Sequence, residues 1–530
     1  MPRSPELGRV ALPVAVLLAA PFLTPACTRT APPSPSSPKP AATPALMSTG
    51  RRLYERQCAV CHGLTGAGDG PAAYLLYPKP RDFTQNEFRL VSTSSMEATD
   101  EDLFLTITRG MPGSSMPSWE TLNPHERWAL VSYIRSLTND PNAPIESDAL
   151  IQVPQETPNT PQSIGRGRAL FSQACASCHG LQGKGDGQQV MTDNAGVPIT
   201  PRDLTAGIFK GSSSSHDLYN RLIAGLPGSP MPSYAGVYPD EQVWDLIHYV
   251  QSLVPPGVEE RVRLRPRTIQ AHRIRGDLPG EPTAEAWKRV QPVRLVLTPL
   301  WWRDHRVEGV AVKALHNGKT LAVHLAWDDP TRDHATLRPQ SFSDGVAVQF
   351  STDDDPPFFG MGEAASVVQI WHWKASWQED ATQWRDIETA YPHAAVDWYE
   401  AQRDYRYGEP FEVSQSTTAS QDPQFMGGWG ADNPLSDPRR RSAAEEALAT
   451  GLGTLTSRPP ALQCVDAKGL WQDGRWQVVL LRQMSPNEPG DLKLKPGQSV
   501  SVAFAVWDGH AGDRNGQKNV SIWNILELER

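Results

Sequence analysis

A chain of 530 residues and 58.3 kDa exceeds one ordinary domain, and at about 150 residues per domain it divides into three or four. A mean hydropathy of −0.44 with 49 prolines and 41 glycines describes compact domains joined by open linkers, and excludes a polytopic membrane protein built on runs of about 20 apolar residues. With 50 Lys+Arg against 59 Asp+Glu the formal charge is −9, and no basic block supplies the phosphate-neutralising surface that nucleic acid requires.

In chain order, Arg3 and Arg9 precede an apolar stretch over residues 10–23, broken by Pro13 and Pro21 and followed by small residues and Cys27. That layout predicts a secretory signal over residues 1–27, too short to span a bilayer as a mature helix. The run Leu23-Thr24-Pro25-Ala26-Cys27 resembles a bacterial lipoprotein signal, which implies lipidation at Cys27. Thr24 stands where that pattern prefers leucine, and plain cleavage near Ala26 is the competing reading. Residues 28–47, rich in Pro, Ser and Ala, read as an extended tether.

The remaining cysteines expose an internal repeat. CAVCHG at residues 58–63 returns as CASCHG at 175–180, an offset of 117. GLTGAGDG then matches GLQGKGDG, KPRDF matches TPRDL, and GMPGSSMPSW matches GLPGSPMPSY. CxxCH is the attachment sequence of c-type haem. Two cysteines three apart on a helical turn reach the two vinyl groups, and the adjacent histidine reaches the iron from the same side. A thioredoxin-like dithiol would lack the following histidine, and a zinc ribbon would need a second CxxC within about 20 residues. Cys58 and Cys61 thus anchor one haem and Cys175 and Cys178 another, with His62 and His179 as proximal ligands. Met116 aligns with Met231, whereas Met111 aligns with Leu226, so Met116 and Met231 are the distal ligands and Met111 is a packing residue. His125, His216 and His248 find no counterparts between the copies. Thioether ligation favours ferrous iron, and a saturated iron carries electrons rather than substrate.

Helices are expected over 50–57, 100–108 and 123–137, and again over 165–174, 215–224 and 240–253. Both modules look like class I cytochromes c, small all-α domains covering 48–138 and 164–254. Residues 139–163 read as a linker.

After Pro255 and Pro256 the composition changes, with fourteen of seventeen tryptophans from Trp287 onward. Short β-branched or aromatic segments at 293–297, 320–327, 345–350, 367–373, 476–482, 500–507 and 520–528 are separated by Asp, Gly and Pro. They predict an all-β antiparallel sandwich over 265–530. SFSDGVAVQFS (341–351), PPFFGMGE (356–363), VVQIWHWKA (367–375), DNPLS (432–436), GLGTLT (451–456), GLWQDGRWQVVLLR (469–482) and VAFAVWDG with GDRNGQKNVSIW (502–523) resemble the haem-binding γ subunit of ethylbenzene dehydrogenase and its relatives. The resemblance implies one b-type haem held between a methionine and a lysine, which fall on Met361 and Lys518. Lysine ligates iron only as the neutral amine, which burial against an apolar haem face would favour. Met426 is a rival for Met361, and His372 is a further candidate that strand alternation places opposite Trp371 and Trp373. Without the resemblance Lys518 reads as a solvated hairpin lysine and Met361 as a core residue. Cys464 is left as a buried, unreactive thiol.

The resemblance implies a periplasmic electron-transfer subunit with two haem c and one haem b. Its partners would be the molybdopterin and iron–sulfur subunits of an oxidoreductase complex, with a soluble cytochrome or quinone-linked protein as the other redox partner. The chain would touch a membrane only through a lipid at Cys27. Two other readings compete: a dihaem peroxidase or sulfur-oxidising enzyme, and cytochromes fused to a carbohydrate-binding sandwich whose tryptophans stack on sugars.

Overall fold

The computed structural model describes residues 38–141, 149–193, 198–258, 264–303, 305–382, 442–486 and 490–530, with 196, 390, 391 and 393. Cys27, the signal segment, residues 28–37 of the tether and Met426 lie outside them.

The first repeat forms helices α1 (Pro44–Gln57), α2 (Ala59–His62), α3 (Asp100–Arg109) and α4 (Pro124–Leu137). The second forms α5 (Pro161–Ala174), α6 (Ala176–His179), α7 (Ser215–Ala224) and α8 (Asp240–Ser252), with a two-strand ribbon of β1 (Met191–Thr192) and β2 (Pro198–Ile199). Helix α1 starts earlier than periodicity indicates, inside the proline-rich stretch. The Thr43 side chain accepts from the Leu46 N–H at 3.1 Å, and Pro44 occupies the first turn, where its missing N–H costs nothing. Thr160 and Pro161 open α5 in the same way.

The first and last helices of each repeat cross in backbone contact, and glycine allows it. A Cβ on Gly50 would lie 2.1 Å from the Ala129 carbonyl oxygen, and one on Gly167 would lie 1.9 Å from that of Asp245. Around the crossings, Tyr54, Phe104 and Trp128 fill one core and Phe171, Tyr219 and Trp244 the other. Residues 149–160 are not an open linker. Leu150 bridges to Thr93, Ile151 packs against both helical cores, and Glu156 meets the buried His248 at 3.2 Å.

The C-terminal half is built from β3 (Thr268–Arg273), β4 (Val293–Val296), β5 (Thr298–Pro299), β6 (Gly309–His316), β7 (Thr320–Asp328), β8 (Gly345–Ser351), β9 (Val368–Lys374), β10 (Ala444–Ala449), β11 (Thr456–Ser457), β12 (Val465–Gln472), β13 (Arg475–Gln483), β14 (Ser499–Trp507), β15 (Asn519–Val520) and β16 (Asn524–Leu528). Hydrogen bonds run in the order β11-β10-β9-β8-β14-β16-β3-β6-β7-β13-β12. The sheet folds over one core, where Trp373 on β9 meets Trp476 on β13 at 4.8 Å between ring centroids.

The sheet is mixed, which corrects the antiparallel expectation. β3 lies between β16 and β6 and runs parallel to both, with Ile525 opposite Thr268 and Ala271 opposite Ala314. Its neighbours are remote in sequence, so no tight hairpin forces reversal of direction.

Strand β10 carries the helix-like sequence AEEALA and gives no alternating signal. Tertiary contacts decide it. Glu446, fully buried, accepts from Arg482 Nη2 at 2.9 Å and from Arg458 Nη1 at 3.2 Å. Asp491 lies 3.4 Å from the same Arg482 nitrogen and also pairs with Arg458. Cys464, expected to be buried, is exposed, with its thiol 3.0 Å from Glu446 Oε2.

Candidate haem sites

In the first repeat one cavity is lined by Cys58, Cys61, His62 and Met116, together with apolar Phe83, Leu103, Ile107 and Ile134. The second repeat has a matching cavity lined by Cys175, Cys178, His179 and Met231, with Phe171, Leu218 and Ile247. Each Cys-x-x-Cys-His turn leaves the long first helix through a four-residue helix, α2 or α6, and ends at a left-handed glycine, Gly63 or Gly180.

His62 Nδ1 lies 3.0 Å from the Arg81 carbonyl oxygen, and His179 Nδ1 lies 3.3 Å from that of Arg202. Burial pulls both imidazoles below their ordinary pKa. The neutral ring donates its Nδ1–H to the carbonyl and keeps the Nε2 lone pair for a metal. Burial also pushes the Cys58 and Cys61 thiols up to about 12 and Cys175 to about 11. A redox dithiol needs a depressed pKa, so these cysteines do not suit thiol–disulfide chemistry.

The methionine loops are congruent. Met111 N–H donates to the Met116 carbonyl at 3.1 Å, and Leu226 N–H donates to that of Met231 at 3.2 Å. Met111 and Leu226 line the cavities from equivalent places, so the repeat distinguishes the two methionines of the first copy where position alone does not. His248 is buried between Ser163 and Glu156, and His125 is exposed, so neither lines a cavity. The residues present in both cavities fit a covalently held haem with histidine on one segment and methionine on another.

The third candidate site lies on the sheet domain. Met361 packs against Ala347, Val368, Ile370, Ala449 and Trp507. It has φ 77°, a left-handed conformation that costs a side-chain-bearing residue about 1–3 kcal/mol and that clusters at functional sites. Lys518 Nζ sits 4.9 Å from the Trp507 ring centroid, and burial lowers its ammonium to about 8. His372 stacks on the same indole at 4.4 Å, and burial holds it neutral, with Lys374 and Lys518 adding repulsion. Trp371 and Trp373 point into the core, as alternation required. Lys518 and His372 thus both contact the Trp507 indole, and the Met361 thioether packs in the same apolar cluster, residue types able to ligate a haem iron.

Sequence reasoning missed Phe358, a sheet-domain residue that lines the first cytochrome cavity. Its only signal was position, three residues before Met361. Among the described residues Trp327, Trp371, Trp373 and Trp476 fill the core at no more than 1 % exposure rather than forming a sugar-binding face, while Trp301 is 38 % exposed.

The cytochrome c family pattern matches residues 47–138 and 164–254, and the ethylbenzene dehydrogenase pattern matches 284–519. The dimethylsulfide dehydrogenase γ subunit of Rhodovulum sulfidophilum is 38 % identical over 255 residues, covering 46 % of this chain and 73 % of its own. This chain belongs to the ethylbenzene dehydrogenase family. The chlorate reductase γ subunit of Ideonella dechloratans is 22 % identical, covering 49 % of this chain and 84 % of its own. A protein of Haloferax mediterranei described as a respiratory nitrate reductase haem subunit is 27 % identical, covering 47 % and 67 % respectively. Within the family, this member carries two cytochrome c domains with covalent haem c ahead of the sheet domain, and it is an electron-transfer protein. Among the described residues no helix is long and apolar enough to cross a membrane.

Proposed function

We propose that this chain is the haem subunit of a molybdopterin oxidoreductase complex in the periplasm, with three redox sites in the order sheet domain, first cytochrome, second cytochrome. His62 with Met116 and His179 with Met231 hold the two c-type irons, and Met361 with Lys518 holds a b-type iron. Once held, each iron would supply a one-electron ferric/ferrous couple.

The observation that carries the order is the seam between the sheet domain and the first cytochrome. Phe358, on the loop that presents Met361, lines the first cavity. The Ser115 hydroxyl, beside Met116, donates to the Leu300 carbonyl at 3.2 Å, and the Leu300 N–H donates to the Lys518 carbonyl at 3.0 Å. The distal-ligand loop of one site is therefore two hydrogen bonds from the ligand residue of the next. Arg56 pairs with Asp355 and Glu363 on the same seam. Among the described residues the second cavity has no sheet-domain residue in its lining, although its Arg202 stacks over Trp302 of the sheet domain at 4.3 Å, and a soluble cytochrome or quinone-linked partner would dock beside it. Cleavage and lipidation at Cys27 would tether the complex to the membrane surface.

A pyridine haemochrome spectrum tests the assignment and is expected to give two haem c to one haem b per chain. Lys518→Ala should lose the b-type signal and leave both c-type signals intact. A normal low-spin b spectrum in that variant would remove Lys518 from the site.

A further inference from the structure

Among the described residues Lys210 is the one that lines both cytochrome cavities. The other charged side chains around them are also cationic: Lys79, Arg81 and Arg89 at the first, Arg202 and Arg221 at the second. Among the described residues no carboxylate lines either cavity. Acids stand behind this layer: Glu87 is 4.0 Å from Arg81, Asp193 is 3.8 Å from Arg89, and Asp217 and Asp102 lie close to Arg221. Nη2 of Arg81 and Nη1 of Arg221 are buried without a hydrogen-bond partner. Burial, with Arg202, Arg89, Arg81 and Arg221 close by, drives the Lys210 ammonium well below its ordinary pKa. Like charges withdrawn from water in this way call for an anion between them.

The layer is built on the repeat. Arg81 aligns with Arg202, Arg89 with Lys210, and Gly113 with Gly228. Each copy sends an arginine, though not the aligned one, to the same glycine of the other. Arg202 Nη2 donates to the Gly113 carbonyl at 2.9 Å, and Arg89 Nη1 donates to that of Gly228 at 3.0 Å. A Cβ on Gly113 would meet the Arg202 guanidinium at 2.4 Å, and one on Gly228 would meet that of Arg81 at 3.1 Å. This is the reciprocal pattern of a two-fold interface, here formed between two domains of one chain. The backbone carbonyls of the same two arginines hold the proximal histidines.

We infer that Lys210 is a shared counter-ion that binds a carboxylate of the haem in each cytochrome cavity, with Arg81 and Arg89 completing the first carboxylate site and Arg202 and Arg221 the second. The inference rests on reading both cavities as c-haem sites. A c-type haem brings two carboxylates on one edge and no other anion, and this layer is where each cavity offers cations. A positive charge beside both haem edges favours the ferrous state at both irons, so one side chain sets two potentials together.

The test is spectroelectrochemical titration of the full chain. Lys210→Gln should lower both c-type midpoint potentials, and Lys210→Arg should restore both. Arg221→Gln, which touches only the second cavity, should lower one. If Lys210→Gln moves a single potential, or none, while the haemochrome still gives two haem c per chain, the shared counter-ion is wrong and the c-haem reading stands. Fewer than two haem c in the unaltered protein would overturn the reading beneath it.

Discussion

The two cytochrome domains share a helix crossing, a haem-attachment turn and a methionine loop, and they differ in what surrounds them. Phe358 of the sheet domain closes part of the first cavity, while the second is lined by its own domain alone. Arg56 at the end of α1 pairs with the sheet domain, whereas its repeat equivalent is Gln173, near the end of α5. Duplication has supplied two equivalent redox modules, and the third domain has made them unequal. In the proposed order the first would be an internal relay and the second a terminus.

The largest expected effect tests what the copies share. Gly50→Ala and Gly167→Ala each drive a methyl group into a backbone carbonyl at the helix crossing, which should cost about 1–3 kcal/mol or more by overpacking. Thermal unfolding should show similar losses for both variants, and a loss confined to one would break the equivalence. A middle-sized effect tests what the copies do not share. Phe358→Ala removes half-buried aromatic surface, costs about 1–2 kcal/mol, and admits water to the first cavity alone. One c-type midpoint potential should fall and the other stay put; movement of both would place Phe358 in a different role. The smallest effect is Arg56→Ala. Its ion pairs are partly exposed and should contribute at most about 1 kcal/mol, fading with added salt. A large, salt-independent loss in that variant would show that packing, not charge, carries the seam.

Much of the haem chemistry was legible because it is local. Cysteines three apart and an adjacent histidine must lie on one helical turn, and the repeat aligned Met116 with Met231 without a structure. Helix starts were less legible, because Thr43-Pro44 and Thr160-Pro161 belong equally to linker vocabulary and helix capping. Strand β10 was invisible, since AEEALA has no period-two pattern and its glutamates are buried only with cationic partners, Glu445 with Lys374 and Glu446 with Arg458 and Arg482. The arginines of the KPRD and TPRD motifs were found as landmarks, but not as the groups that orient each histidine and cross to the other domain.

The sequence by itself determined that this protein carries two covalent haems on duplicated cytochrome domains, because covalent attachment and axial ligation demand fixed residue types at short spacing. Only the tertiary structure decided which cytochrome cavity takes a lining residue from the sheet domain, that β3 pairs parallel between β16 and β6, and that Lys210 faces both cavities. Those are contacts between segments tens to hundreds of residues apart, set by burial and charge balance that no local pattern records.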